Sequence, residues 1–304
     1  MQGVWSDSLS TQAIKDDDLP ALFCAADQAA NRSRRQHVAL TAMNLTLLAL
    51  GALFDVVSSH VAHKRAFAVA SAVCFLLTVF VTIVAAALKL EQKWYLGRAV
   101  AESVKTLSWK YMMRVDPESG TGGGTPEDRL TGDLRAILEE FQEIGSLLGG
   151  KTAVRDQISG VMKTVRGAGF ADRKQTYMEQ RVGQQRGWYS VKSGQNKNAS
   201  SFLIVALIGC QFIAVVISGI SIVNEQLNFA PLFAATASSL IAWGQLRQYD
   251  ELAQSYGMAA QELGLVEEQG KQEIPESDFS QFVVMAETAI SREHTLWRAR
   301  RVGK

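Results

Sequence analysis

Ala66–Leu88 reads AFAVASAVCFLLTVFVTIVAAAL and Ala199–Val223 reads ASSFLIVALIGCQFIAVVISGISIV, two stretches without a single charged residue. A hydrocarbon core about 30 Å thick is crossed by roughly 20 helical residues, so either stretch spans a bilayer unaided. Each has a less apolar neighbour: Val38–Val57, interrupted by Asn44 and Asp55, and Leu227–Leu246, which carries no charge. Only Ser58–Arg65 and Asn224–Gln226 join the members of each pair, connections too short to hold a folded domain. The pattern predicts an all-α membrane protein: two transmembrane helical hairpins, four spans in all, with long cytosolic helical extensions.

Of the 304 residues 47% are hydrophobic, and they are concentrated in those four blocks. The first 30 residues are acidic (Asp7, Asp16, Asp17, Asp18 and Asp27 against Lys15), unlike the basic start of a secretory signal. Cys24, Cys74 and Cys210 are odd in number and lack paired spacing, which suits neither a disulfide framework nor a zinc site. Cys74 and Cys210 read as small packing residues within spans. Basic residues flank the outer ends of both hairpins: Arg32, Arg34 and Arg35, then Lys89, Lys93 and Arg98, then Arg181, Arg186, Lys192 and Lys197, and finally Arg247. The hairpin loops hold only Lys64 and Arg65, so both termini and the middle segment are expected to face the cytoplasm. Trp94, Tyr95, Trp188, Tyr189 and Trp243 sit near those same ends, where aromatic rings suit the membrane interface.

The chain divides into a first two-helix membrane module over 1–118, a glycine-rich linker with an amphipathic helix over 119–150, and a second two-helix module over 151–304. The acidic run Asp16–Asp18 suits the start of a helix that continues past Pro20 through Arg35 into the first span. Leu96, Val100, Val104, Leu107 and Tyr111 form an apolar stripe at helical spacing, predicting one continuous helix from Ala66 to about Arg114. Pro117 and the glycines of 119–124 end it. Thr125-Pro126-Glu127-Asp128 opens a new helix with a cap, a first-turn proline and acids at the positive dipole end. Its apolar face is Leu130, Leu134, Ile137, Leu138, Phe141, Ile144 and Leu148. Leu246, Tyr249, Leu252, Tyr256, Ala260, Leu263 and Val266 again hold helical spacing, and a last helix runs from about Phe279 to Arg301. The latter's apolar face is Phe279, Phe282, Val283, Ala286, Ala289, Ile290 and Trp297. Residues 151–197 are basic, a composition read as attraction to anionic lipid or pairing with acidic helices rather than as a nucleic-acid patch. Residues 247–304 are acidic, so the two segments are suited to pack together. Both halves read as cytosolic helix, membrane hairpin and long amphipathic helix, a duplicated module.

No catalytic constellation is present. The glycine run lacks the lysine and the preceding strand of a phosphate-cradling loop, and no serine-hydrolase, zinc-protease or kinase motif occurs. His37, His60, His63 and His294 are the only histidines, and none stands among enough ligands to suggest a metal. The chain is not expected to be an enzyme or to hold a cofactor. Polar residues inside the spans are the better pointers: Asn44, Asp55, Thr78, Thr82 and Gln211, read as pore-lining or interhelical contacts. Asp55, near an interface, is suited to pair with Lys64 or Arg65. Gly51, Gly209 and Gly219 are small enough to admit close helix approach.

Trp94-Tyr95-Leu96-Gly97-Arg98-Ala99-Val100-Ala101-Glu102-Ser103-Val104-Lys105-Thr106-Leu107-Ser108-Trp109-Lys110-Tyr111 resembles the segment after the hairpin in the SLATT family, two-transmembrane domains associated with SMODS second-messenger synthetases and SLOG sensors. Arg181-Val182 through Trp188-Tyr189-Ser190-Val191-Lys192, with Asn196-Lys197, resembles the pre-hairpin helix of another branch. Leu252-Ala253-Gln254-Ser255-Tyr256 and Ala286-Glu287-Thr288-Ala289-Ile290-Ser291-Arg292-Glu293-His294-Thr295-Leu296-Trp297 resemble its closing helices. The resemblance covers roughly 20–115 and 155–301 and makes the chain similar to a tandem SLATT protein. It implies an oligomeric pore-forming or membrane-perturbing effector of a bacterial conflict or anti-phage system, in the inner membrane and activated through its cytosolic helices. Membrane lipid, other copies of the chain and a sensor or second-messenger-producing protein are the implied partners. The family-motif positions are Trp94, Glu102, Trp109, Trp188, Tyr256, Glu287, Arg292, Glu293 and Trp297. A membrane-anchored scaffold, its hairpins only tethering the cytosolic helices, is the alternative.

Overall fold

A computed structural model describes residues 13–61, 64–115, 124–148, 155–223 and 229–302, without the side chains of Ser146 and 292–302. Among the described residues all regular structure is helical. The helices are α1 (Ala21–His60), α2 (Lys64–Leu88), α3 (Leu90–Met112), α4 (Pro126–Glu140), α5 (Gly160–Gly167), α6 (Phe170–Tyr177), α7 (Gln184–Val223), α8 (Ala230–Arg247), α9 (Tyr249–Gly270) and α10 (Glu276–Val302). A short 3-10 turn at Asp16–Asp18 precedes α1, so the acidic run forms its own turn before the helix begins. A π-helical turn, Met178–Gly183, links α6 to α7. Three stretches are long and apolar enough to cross a membrane, within Ala21–His60, Lys64–Met112 and Phe170–Val223. The fourth expected span corresponds to α8, an 18-residue helix that includes Pro231, Gln245 and Arg247.

The expected continuous helix from Ala66 to Arg114 is instead two. Lys89 takes a left-handed conformation (φ 49°) between α2 and α3, and Gln248 takes the same (φ 49°) between α8 and α9. Outside glycine that conformation is disfavoured by roughly 1–2 kcal/mol. At Gln248 it caps α8, whose Gly244 carbonyl accepts a hydrogen bond from the Gln248 N–H at 2.8 Å. The break recurs at the same place in each repeat, after the hairpin's second helix.

The chain forms two compact units, each drawing on both halves of the sequence. One comprises Met1–Arg32, Gln92–Lys192 and Ser255–Lys304. Its core contains Val100, Val104, Met112, Met162, Tyr177, Val182, Phe279, Val283 and Ala286, all fully or almost fully buried. Those positions are the apolar stripes of α3 and α10 meeting the basic segment. The α4 start is a capping box: Thr125 Oγ accepts from the Asp128 N–H at 3.2 Å and Asp128 Oδ2 accepts from the Thr125 N–H at 2.9 Å. Leu130, Leu134, Ile137, Phe141 and Ile144 are buried, the last two beyond the end of α4, whereas Leu138 points outward. Gly97 lets α3 lie against α1, because a β-carbon there would come within 3.0 Å of the Ala26 carbonyl oxygen and the Ala30 nitrogen. Backbone atoms on both sides leave nothing that can yield. The basic and acidic segments do pair: Arg173 with Glu276 at 2.6 Å, Arg186 with Glu267 at 2.8 Å and Arg181 with Glu287 at 2.7 Å.

The other unit comprises Ser33–Glu91 and Ser193–Gln254. Here α2 buries a single stripe, Ser71, Cys74, Thr78 and Val81, and Ser71 Oγ donates to the Gly51 carbonyl at 2.9 Å. Its opposite side, including Val73, Leu76, Phe80 and Ile83, is exposed, as lipid contact requires. Leu203 of α7 packs onto Gly244 of α8, where an added β-carbon would sit 2.7 Å from Leu203 Cδ2. The His60 ring stacks on Phe229 at 4.8 Å, and its Nδ1 lies 2.6 Å from the Val56 carbonyl oxygen. His63 and the loop Asn224–Gln226 lie outside the described residues.

Candidate functional site

The most concentrated polar arrangement lies where α3, α6, the π turn and α10 meet. Glu287 is 1% exposed and Arg181 2%. Arg181 donates twice to the same carboxylate, Nε to Oε1 at 2.9 Å and Nη2 to Oε2 at 2.7 Å. Tyr177 Oη donates to Oε1 at 3.1 Å and Thr106 Oγ to Oε2 at 2.9 Å. Each carboxylate oxygen thus accepts two hydrogen bonds, and the planar fork of arginine matches the planar carboxylate. Taking two ions out of water is costly, and only such full satisfaction repays it.

Electrostatics fixes the protonation states. Burial alone would lower the Arg181 pKa, but the adjacent Glu287 more than reverses this and holds the guanidinium charged. Burial first, and the Glu287 charge second, push the Tyr177 hydroxyl well above its ordinary value, so it remains a donor. Glu102 contributes further negative potential at Arg181 and is itself paired with Arg98 one turn away. Arg98 also reaches Asp27 of α1 at 3.3 Å.

Local backbone geometry places Arg181 in this cluster. A π turn carries one residue more than an α turn of similar rise, and such bulges are frequent at functional sites. Here it buries both Arg181 and Val182. Trp109 is 3% exposed, packs edge-on to Tyr177 at 5.8 Å and has no acceptor for its Nε1 among the described residues. No group of three or more metal-ligating side chains occurs among the described residues.

The other sequence-derived positions are distributed more widely. Trp94 stacks on Tyr95 at 4.6 Å, and Trp188 packs edge-on against Tyr256 at 5.3 Å and Tyr189 at 5.2 Å. Arg292, Glu293 and Trp297 belong to α10, but their side chains lie outside the described set. In the hairpin unit, Thr78 is buried and donates to the Phe75 carbonyl, and Thr82 donates to the Thr78 carbonyl, so both hydroxyls are satisfied within α2. Asp55 is exposed and forms no ion pair with Lys64 or Arg65. Asn44 keeps its Oδ1 buried without a hydrogen bond, and Gln211 is exposed midway along its span. Of the four residues of the polar cluster, Glu287 is marked by its sequence motif, whereas Thr106, Tyr177 and Arg181 were not among the candidate site residues. Arg181 is one of ten basic residues in 151–197, and spacing alone does not tell which of them is buried.

Two family models match in tandem. The one described as SMODS and SLOG-associating 2TM effector domain 3 covers residues 20–174, and the one described as SMODS and SLOG-associating 2TM effector domain 1 covers 177–297. No curated protein and no solved structure matches. Thr106 falls in the first matched region, whereas Tyr177, Arg181 and Glu287 fall in the second. The ion pair therefore lies within the second matched region, and the hydrogen bond from Thr106 to Glu287 joins it to the first.

Proposed function

The chain belongs to the SLATT family of SMODS and SLOG-associating two-transmembrane effector domains, two of them in tandem, and from that premise we propose a membrane-perturbing effector. It acts without catalysis, as an oligomer in a bacterial inner membrane, within a conflict or anti-phage system. Engagement of the cytosolic helices by a sensor or second-messenger-producing partner is the trigger. The observation that carries this reading is the combination of apolar helices long enough to cross a membrane with polar amides inside them. Asn44 and Gln211 find no hydrogen-bond partner in lipid, and both gain one once helices from several chains meet. Four helices of one chain cannot enclose a wide channel, so a pore needs several copies.

In this reading α8 completes a fourth crossing, with both termini and the middle segment cytoplasmic. Reporter fusions at Gly122 and after Lys304 are expected to be active in the cytoplasm, and insertions at His60 and Asn224 to report the opposite side. An odd number of crossings between Gly122 and Lys304 contradicts the duplicated hairpin. Function is tested with purified protein in liposomes holding a fluorescent dye. Release by an oligomer is the expected result. Protein that stays monomeric and releases neither ions nor dye overturns the pore and leaves the membrane-anchored scaffold.

A further inference from the structure

The α7 span has two different sides. Leu203, Leu207, Cys210, Ala214 and Ile217 are half-buried, on the side from which Leu203 reaches Gly244 of α8. On the flank, Ser201, Ile204, Ile208, Gln211, Val215, Ser218 and Ile222 recur at alternating steps of three and four, and every one is exposed. That alternation is the heptad seam by which helices pair with a left-handed supercoil, and membrane helices commonly cross in this geometry. Four of the seven are isoleucine or valine, β-branched side chains whose rotamers are already restricted in a helix.

Gln211 decides what covers the seam. It stands at the midpoint of Ala199–Val223, too far from either interface for its short side chain to reach water. It makes no hydrogen bond among the described residues. Hydrocarbon offers neither donor nor acceptor. An amide carries both, so it is complementary to a second amide at the same depth. Copies inserted by one charge rule are parallel, and each seam position then meets its own equivalent at its own depth. Another apolar protein surface would cover the isoleucines but would leave the amide unsatisfied.

We propose that this flank of α7 is the contact between copies of the chain, with Gln211 hydrogen-bonded to Gln211 of its neighbour at the centre. The proposal deepens the oligomeric effector reading and rests on its membrane placement of α7. Within such a seam a single polar residue sets register, because any slip parts the two amides.

The test is oxidative cross-linking of the full-length protein in native membranes, with Cys24, Cys74 and Cys210 replaced by alanine. Ile204→Cys, Ile208→Cys, Val215→Cys and Ile222→Cys are expected to give covalent dimers several-fold more efficiently than Val205→Cys, Phe212→Cys and Val216→Cys. Equal or reversed efficiency in inserted protein overturns the seam. In the Ile208→Cys background, Gln211→Leu is expected to lower dimer yield several-fold and Gln211→Asn to retain most of it. An undiminished yield with Gln211→Leu overturns the role of the amide. Cross-linking along the seam in protein that releases nothing from liposomes upholds the contact and removes the pore. Release without cross-linking along the seam does the reverse.

Discussion

Arg181→Ala is expected to destabilise the extramembrane helical unit by about 3–5 kcal/mol, because it leaves a buried carboxylate without its cation. Tyr177 and Thr106 would remain as donors to Glu287, but neither carries charge. Glu287→Ala is expected to cost a similar amount, for then the guanidinium is stranded. Replacing both, Arg181→Met with Glu287→Leu, removes two desolvation penalties together and is expected to recover most of the loss. Thermal unfolding of the detergent-solubilised protein, followed by circular dichroism, measures all three. If either single variant unfolds like the parent, the ion pair does not hold the helices together. A double variant that is stable yet inactive would assign the pair to activity rather than to stability.

The second large effect is at Phe279→Ala. The ring is 1% exposed and packs edge-on to Phe170 at 5.3 Å and to Tyr177 at 6.1 Å, with Phe282 stacked at 6.0 Å. Truncating a buried phenylalanine costs roughly 3–5 kcal/mol through lost transfer energy and the cavity left behind. Since α10 brings Glu287 to Arg181, loosening its first turns is also expected to loosen the ion pair. Limited proteolysis checks this, with cleavage after α9 appearing in Phe279→Ala at protease levels the parent resists. Thr288→Ala, at an exposed position on the same helix, is the control and is expected to behave like the parent. Equal resistance of Phe279→Ala and the control would mean that α10 is not docked through this ring.

The apolar faces of the extramembrane helices were legible in the sequence. Val100, Val104 and Tyr111 of one stripe, and Phe279, Phe282, Val283, Ala286 and Ile290 of another, are buried where their spacing predicts. Periodicity records which side of a helix avoids water, and burial follows from it. The opposite charges of 151–197 and 247–304 also told truly, in three ion pairs. What spacing does not encode is backbone deviation. Neither the left-handed Lys89 and Gln248 nor the π turn at Met178–Gly183 has a glycine or proline signal strong enough to announce it. The identity of the buried cation depends on that π turn, so Arg181 could not be singled out from its basic neighbours. Glu287 was found through its motif, which the family match explains.

An effector of this kind must breach the membrane that holds it. Membrane potential, followed with a potential-sensitive dye in bacterial cells induced to express the full chain, tests that most directly. The prediction is depolarisation that rises with the amount of protein in the membrane fraction. Cells that hold a normal potential with the protein abundant and inserted would contradict it.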